Sequence, residues 1–561
     1  MANAANQAHD RNIPFQLSAA DNAQYRAIFA AIHAEKWTEA KSLIEATNDA
    51  SLRPIALAEL YLAKNSPRVE LFDILALLDK APSIPEAEQL TRLAQKRGAT
   101  ILPDLPQVRQ LAWFPGSPRR KVIATIRQDA MGQALGEKIL PLIKNDDPAG
   151  AEALLIAAES GLSPEALTEW RQRVAWSYYI ENDDSNARRM AARALQGGTG
   201  PWLAQAYWVT GLTAWRQNDC KTAAPAFENV AARADNDDMR AAGYYWAARS
   251  HMVCGDAPKV ESLMRSAGRL DETFYGLLAR EALSIQAPVN MMTARFDGDD
   301  WRRLKKHQNV HMSIALIEIG ENELADNLLR HQARIGAQDE HDSLLRLARG
   351  LDLPETQIWL SHNAPPGQRP DASARYPMPK WTPDGGWRVD KALVFAHALQ
   401  ESNFQASVVS PAGARGLMQV MPCTARLMGG AMVDPAQLNN PSTNMEYGQR
   451  YLESLRDMSA TGGLLPKVMA AYNAGPTPVG RWNSEVRDNG DPLLFIESIP
   501  YYETRAYVTI VMRNYWMYQQ QAGEETSSLA SLAQGLWPRF PGMSGATAVR
   551  ADANGRSFGA D

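Results

Sequence analysis

With 561 residues, 45% of them hydrophobic and 22% charged, the chain exceeds what one hydrophobic core supports, and its composition is neither disordered nor fibrous. Its 58 basic and 63 acidic residues, a formal net charge of -5, are spread along the sequence, which argues against a nucleic-acid backbone as main partner. No run of about 18 apolar residues offers a transmembrane helix, and the three cysteines, Cys220, Cys254 and Cys423, form no CxxC or Cys/His cluster, so neither a metal site nor a cofactor is expected.

Residues 1–20 read as an N-terminal extension. Its start, MANAANQAHD, has no basic n-region and no apolar h-region. Two readings stay open there: a cytoplasmic chain, or an exported one whose signal peptide is absent from this sequence.

From residue 21 to about 290 the sequence reads as helical hairpins, with Ala, Leu, Trp and Tyr at helical spacing and short polar breaks. Turn aspartates recur at Asp147, Asp183, Asp219 and Asp256, at separations of 36, 36 and 37 residues. Such a two-helix unit cannot bury its apolar face alone and must stack on its neighbours, which makes an α-solenoid superhelix. Trp176, Trp215 and Trp246 precede the turns and are expected in the core rather than as sugar-stacking platforms. Cys220 and Cys254 fall at adjacent turns, where they are either bonded, implying an oxidising compartment, or two buried thiols.

Residues 291–370 read as a helical linker domain. The stretch NAPPGQRPDASARYPMPKWTPDGGW, residues 363–387, then breaks the helical pattern and contains the last domain boundary, so that 371–522 forms a separate α-rich domain. The tail, 523–561, loses periodicity and is expected to be loosely ordered, with Trp537 and Phe540 as anchors.

Chemistry concentrates in the 371–522 domain, where Gly- and Pro-rich loops separate short helices. Asp390 caps a helix reading DKALVFAHALQESNF, which places Glu401 on a stripe with Val394 and Ala398. Apolar surroundings and the negative end of the helix dipole both disfavour its charged form, which suits a general acid at neutral pH. The plainer reading of this helix alone is a surface Glu in the last turn. His397, one turn earlier, has no further ligand to make a metal site and is expected to be packed or solvated. Cys423 stands at a helix start but has no His/Asn arrangement to make it a nucleophile.

Downstream come SPAGARGLMQVMP, AYNAGP and IPYYETRAYV. Together with QES, these four motifs in this order resemble the catalytic domain of the soluble lytic transglycosylases, lysozyme-like family 1 enzymes of the bacterial cell wall. The resemblance covers about 130 residues and implies an all-α protein: an N-terminal α-solenoid superhelix closing into a ring, followed by a lysozyme-like catalytic domain. It also implies export to the periplasm and peptidoglycan glycan strands as partner; the solenoid either guides those strands, recruits other cell-wall enzymes or only supports the catalytic domain.

Residue by residue, the resemblance makes Glu401 the catalytic acid/base. It places Ser410 near the substrate's N-acetyl or leaving-group oxygen, Gln419 and Met421 along the glycan subsites, Tyr472 and Asn473 beside the scissile bond, and Glu503 in the groove as a second acid. Plainer duties compete: core filler for Met418 and Met421, a helix stop for Gly475 and Pro476, and a dipole-favoured first-turn carboxylate for Glu503.

Most glycosidases use two carboxyl groups. GARGLMQVMP and AYNAGP contain none, so the expected reaction is non-hydrolytic: Glu401 cleaves the MurNAc-β-1,4-GlcNAc bond as acid, then as base lets the muramoyl C6 hydroxyl close a 1,6-anhydro ring. The alternatives are a goose-type lysozyme-like hydrolase and a catalytically weak peptidoglycan-binding scaffold.

Overall fold

The computed structural model describes residues 12–285, 295–429 and 434–551, and the backbone of 557–559. Over these described residues it is all-α apart from two small sheets. The chain divides into two compact units, Met1–Gly116 with Asn290–Trp381, and Ser117–Val289 with Thr382–Asp561.

In the first unit the two segments share one core. Tyr25, Ile28 and Phe29 of helix Ala19–His33 belong to the same buried cluster as Ile314 and Leu316 of helix Gln308–Ile319 and Leu328 of helix Asn322–Ile335. Backbone N–H groups of Gln16 and Leu17 donate to the Glu318 carboxylate at 2.7 and 2.9 Å, and a two-residue antiparallel ladder pairs Ala112–Trp113 with Asn363–Ala364. The structure therefore groups the chain differently from the expected division into a solenoid over 21–290 and a separate linker domain over 291–370. The later segment supplies the apolar faces that the first five helices need for burial, and sequence adjacency says nothing of that pairing.

The second unit contains the regular repeat. Asp146, Asn182, Asn218 and Gly255 all adopt positive φ, between 59° and 76°. The N–H of the next residue returns to the carbonyl five positions back in each case, as in Asp183 to Tyr178 at 3.0 Å. That is a helix C-terminus closed by a left-handed residue, and the turn aspartate then opens the following helix. Asp147, Asp183 and Asp219 accept from backbone N–H groups of Gly150, Asn186 and Thr222 at 2.8 to 3.1 Å; Asp256 instead faces His251 at 3.1 Å. Cys220 and Cys254 are bonded, closing a separation of 34 residues, a constraint on the unfolded chain of about 4 kcal/mol in the loop-entropy picture.

Of the three tryptophans expected in the core, Trp246 is fully buried, packed edge-on against Trp208 and Trp215. Trp176 and Trp215 are only partly covered and carry arginines on their faces, Arg505 at 4.3 Å and Arg249 at 4.7 Å. Arg505 comes from the C-terminal segment, so the aromatic stripe also receives the domain that follows.

That domain is fastened to the hairpins through helix Pro492–Ser498. Glu497, fully buried, accepts two bonds from the Arg120 guanidinium at 2.7 and 3.0 Å and one from the Tyr275 hydroxyl at 2.7 Å. Burial alone would raise its carboxyl; Arg120 and these hydrogen bonds outweigh that and hold it below the usual range. Asp491 pairs with Arg249 at 2.8 Å, Ser498 shares a 2.7 Å bond with Tyr179, and Phe274 stacks on Trp516.

The tail is not loosely ordered over its described part. Helix Ser527–Ala533 is followed by strand Trp537–Pro538, which pairs with Ala548–Ala551, and that in turn with Ser557–Gly559. Trp537 and Phe540 are buried, and the Trp537 indole N–H donates to the Gly490 carbonyl at 2.9 Å. Two large aromatics suffice to pin a stretch whose turns erase any periodicity.

Replacing Glu497 with Ala leaves the Arg120 guanidinium and the Tyr275 hydroxyl buried without their acceptor. A loss of about 3–5 kcal/mol is expected, measured as a lower urea midpoint; an unchanged midpoint would remove this pair from the account of how the domain is held.

Candidate active site

The site is built on helix Lys391–Ser402. Asp390 caps it, accepting from the Ala392 N–H at 2.8 Å and from the Tyr515 hydroxyl at 2.6 Å. Every residue from Ala392 to Leu399 is buried, so this helix is enclosed on all sides. It ends in two left-handed residues, Asn403 (φ 50°) and Phe404 (φ 64°). That strained conformation for a bulky residue is maintained by the burial of Phe404 against Phe395. Glu401 sits in the last turn. Its neighbour Ser402 donates its hydroxyl hydrogen toward the carbonyls of Leu417 at 2.8 Å and Ala398 at 3.1 Å, tying the helix end to the loop that follows.

That loop is narrow and internally bonded. Single β-bridges join Arg415 to Val409 and to Val420. The Ser410 hydroxyl accepts from the Ala414 N–H at 3.0 Å, and the Gln419 amide donates to the carbonyls of Gly416 at 3.0 Å and Val408 at 3.3 Å. Gly416 is obligatory on two counts: its φ is +70°, and a Cβ there would lie 2.2 Å from the Leu438 carbonyl oxygen. Buried Asn444, from helix Pro441–Asp457, clamps the loop by accepting from the Met418 N–H and donating to the carbonyls of Arg415 and Leu438, all at 2.8 Å. Met418 is core filler, seated where Gly448 has no side chain. Met421 is half-buried and Cys423 is an exposed free thiol.

Around Glu401 the structure gathers an aromatic wall from three helices. The Tyr507 hydroxyl donates to Glu401 Oε1 at 2.7 Å and is itself 2.7 Å from Nδ1 of His397. Tyr472 packs 4.6 Å from the His397 ring, stacks parallel to Tyr507, and donates its hydroxyl to the Met418 carbonyl at 2.8 Å; Tyr451 closes on Tyr472 at 5.3 Å. Burial pushes the Glu401 carboxyl up to about 7, the Tyr507 hydrogen bond opposes this, and the negative charge of Glu503 adds to it. Burial also keeps His397 neutral by lowering it to about 3. Tyr472 and Tyr507 are pushed well above the ordinary phenol range, first by burial and then by the charge of Glu401.

The sequence-derived residues are thus distributed unevenly. Glu401 and Tyr472 are brought together, Tyr472 stacking parallel to the Tyr507 ring that bonds Glu401. Asn473 lies next to Tyr472 and accepts from the Thr504 hydroxyl at 2.6 Å, which joins its helix to the one bearing Glu503. Ser410 and Gln419 spend the bonds described above inside their own loop, and Glu503 is exposed in the first turn of helix Tyr502–Ala522. Sequence reasoning missed Tyr507, although it stands in the quoted IPYYETRAYV motif four residues after Glu503, on the buried face of its helix. It also missed Asn444, for which no local signal exists, because its partners lie on another segment.

A helical domain in which tyrosines and a tightly bonded loop surround a half-buried acid of raised proton affinity is what fold and site define. Residues 383–495 match the family described as the Transglycosylase SLT domain. That match lies within the C-terminal domain, where the sequence is also similar to curated soluble lytic murein transglycosylases. It is 34% identical over 155 residues to the soluble lytic murein transglycosylase of Escherichia coli K12, covering 27% of this chain and 24% of that protein. It is 35% identical over 159 residues to the one from Salmonella typhimurium, with 28% and 24% covered. The chain therefore matches about a quarter of the length of these curated relatives. Among solved structures, the 70 kDa soluble lytic transglycosylase SLT70 from Escherichia coli shares the fold over 93% of this chain and 99% of that one, with a TM-score of 0.57 and 17% identity. An inactive glutamate-to-glutamine mutant of lytic transglycosylase Slt from Pseudomonas aeruginosa matches over 91% of this chain and 87% of that one, with a TM-score of 0.52 and 19% identity.

A half-buried carboxyl raised from its ordinary value near 4.5 to about 7 makes the folded state the better proton binder between those values. Stability contributed by neutral Glu401 is therefore complete below about pH 4.5 and is lost as pH rises through about 7. Relative to wild type, Glu401→Gln should gain about 3 kcal/mol between pH 4 and pH 8, measured by urea unfolding at the two pH values. A pH-independent difference would contradict the assignment.

Proposed function

We propose that the chain is a periplasmic lytic transglycosylase that cleaves the MurNAc-β-1,4-GlcNAc bond of peptidoglycan without consuming water and leaves 1,6-anhydro-MurNAc ends. The observation that carries this reading is the state of Glu401: half-buried, hydrogen-bonded by the Tyr507 hydroxyl, and pushed up to about 7, so that a large share of it keeps its proton at neutral pH. The catalytic domain's sequence match and the whole-chain fold support the substrate class.

In this mechanism Glu401 protonates the bridging oxygen while the substrate's N-acetyl carbonyl stabilises the positive charge developing at C1. The departing GlcNAc hydroxyl leaves with that proton, and Glu401 is left ionised. It then takes the hydrogen of the muramoyl C6 hydroxyl, whose oxygen bonds C1 and closes the ring, returning the acid to its starting state. The aromatic wall favours both steps, because it raises the stability of the neutral acid and makes its anion a stronger base than an ordinary carboxylate. Ser410, Tyr472 and Asn473 orient the reacting sugar, Gln419 and Met421 shape the subsites, and Glu503 tunes Glu401 through its charge while remaining in solvent. The Cys220–Cys254 bond fits an oxidising compartment, and the helical hairpins present surface to other cell-wall enzymes.

Glu401→Gln keeps the shape and removes the exchangeable acid proton. Digestion of purified sacculi is expected to fall at least about a thousandfold in rate, with wild-type muropeptides one water lighter than hydrolysed ones. Products of hydrolysed mass would instead mark a goose-type lysozyme, and full activity of the variant would remove Glu401 from the chemistry.

A further inference from the structure

His397 is fully buried one helical turn before Glu401, and its Nδ1 lies 2.7 Å from the Tyr507 oxygen. The Tyr507 hydroxyl has one hydrogen and two groups in reach of it, His397 Nδ1 and Glu401 Oε1, the latter also at 2.7 Å. Which one receives it depends on the imidazole tautomer. With hydrogen on Nε2, the histidine would compete for the tyrosine's hydrogen, and a buried N–H would face nothing, because Nε2 has no hydrogen-bond partner among the described residues. With hydrogen on Nδ1, the histidine donates to the tyrosine oxygen, the tyrosine donates to the carboxylate, and only a lone pair is left unmet at Nε2.

We propose that His397 is a positioning residue: by donating its Nδ1–H to the Tyr507 oxygen, it commits the Tyr507 hydrogen to Glu401 Oε1 and so confines the acid proton to Oε2. This rests on the reading of Glu401 as general acid. Were the tyrosine oxygen free, protonated Glu401 would turn its own hydrogen onto it, away from substrate; an N–H already on that oxygen opposes the turn. A donor behind the tyrosine also polarises its O–H and strengthens its bond to the anion, which helps the second, basic half of the cycle. The groups around the relay are Tyr507 and Glu503 on helix Tyr502–Ala522, Tyr472 on helix Leu465–Ala474, and Tyr451 on helix Pro441–Asp457. Of these, the exposed carboxylate of Glu503 acts on Glu401 from outside the relay.

Two measurements test this. The first uses protein labelled with 15N in its histidine rings, the His397 signals being assigned by their loss in His397→Asn. The expected result is a neutral ring with hydrogen on Nδ1 from pH 5 to pH 8; hydrogen on Nε2, or a doubly protonated ring in that range, overturns the proposal. This readout is taken on the wild-type chain and does not depend on activity. The second is the pH profile of kcat/KM on soluble peptidoglycan fragments, whose alkaline limb reports the free acid. His397→Leu removes the donor and should move that limb up by about half a pH unit while kcat falls about tenfold. His397→Asn, which keeps an N–H donor near the place of Nδ1, should restore the limb. A leucine variant with the wild-type limb, or an asparagine variant displaced as far as the leucine one, overturns the proposal. Undiminished cleavage by Glu401→Gln would instead strike the acid reading, and the ring tautomer would still report on the relay.

Discussion

The account depends on the cost of ionising one carboxyl group in a place water reaches only in part. Among the described residues Glu401 receives a single hydrogen bond, from Tyr507, where a carboxylate in solvent would gather several. One donor softens the penalty without cancelling it, so the group ends near neutrality rather than in the ordinary acid range. An acid that binds its proton this tightly in the resting protein has an anion that seeks one equally strongly. The two halves of a proton-lending cycle then come from one environment.

The remainder of the C-terminal domain keeps that environment dry and in register. Asn444 and Gly416 hold the loop that passes the end of the Glu401 helix, Ser402 ties helix and loop together, and Tyr472 closes on the Met418 carbonyl. Farther out, Glu497 sits among Arg120 and Tyr275 as a buried charge satisfied on every side. The contrast with Glu401 is instructive: a buried and a half-buried glutamate in one unit move in opposite directions, because one has a guanidinium for a partner and the other a phenol.

Much of this was legible in the sequence, and for physical reasons. Helical periodicity reports burial, so the all-α character and the spacing of Asp147, Asp183, Asp219 and Asp256 were readable, and the turns show why: a left-handed residue followed by a cap needs those residue types. Glu401 was readable because it interrupts an apolar stripe. The grouping of residues 12–116 with 295–381 was hidden, since pairing of apolar faces across nearly two hundred residues leaves no local mark. Trp176 appeared as core because its partner, Arg505, arrives from a distant segment. Tyr507 went unnoticed for a related reason, as a tyrosine on a buried helix face reads as packing until the carboxylate across from it is known. The tail was misjudged because its order rests on Trp537 and Phe540 and on strand pairing, neither of which has a helical period.

The most direct measurement is titration of the Glu401 side chain itself, by carboxyl 13C NMR or difference infrared spectroscopy of wild type against Glu401→Gln. An inflection near pH 7 is the predicted result. A carboxyl that ionises in the ordinary range near 4.5 would mean that water reaches it freely, and the single-acid cycle would have no physical basis.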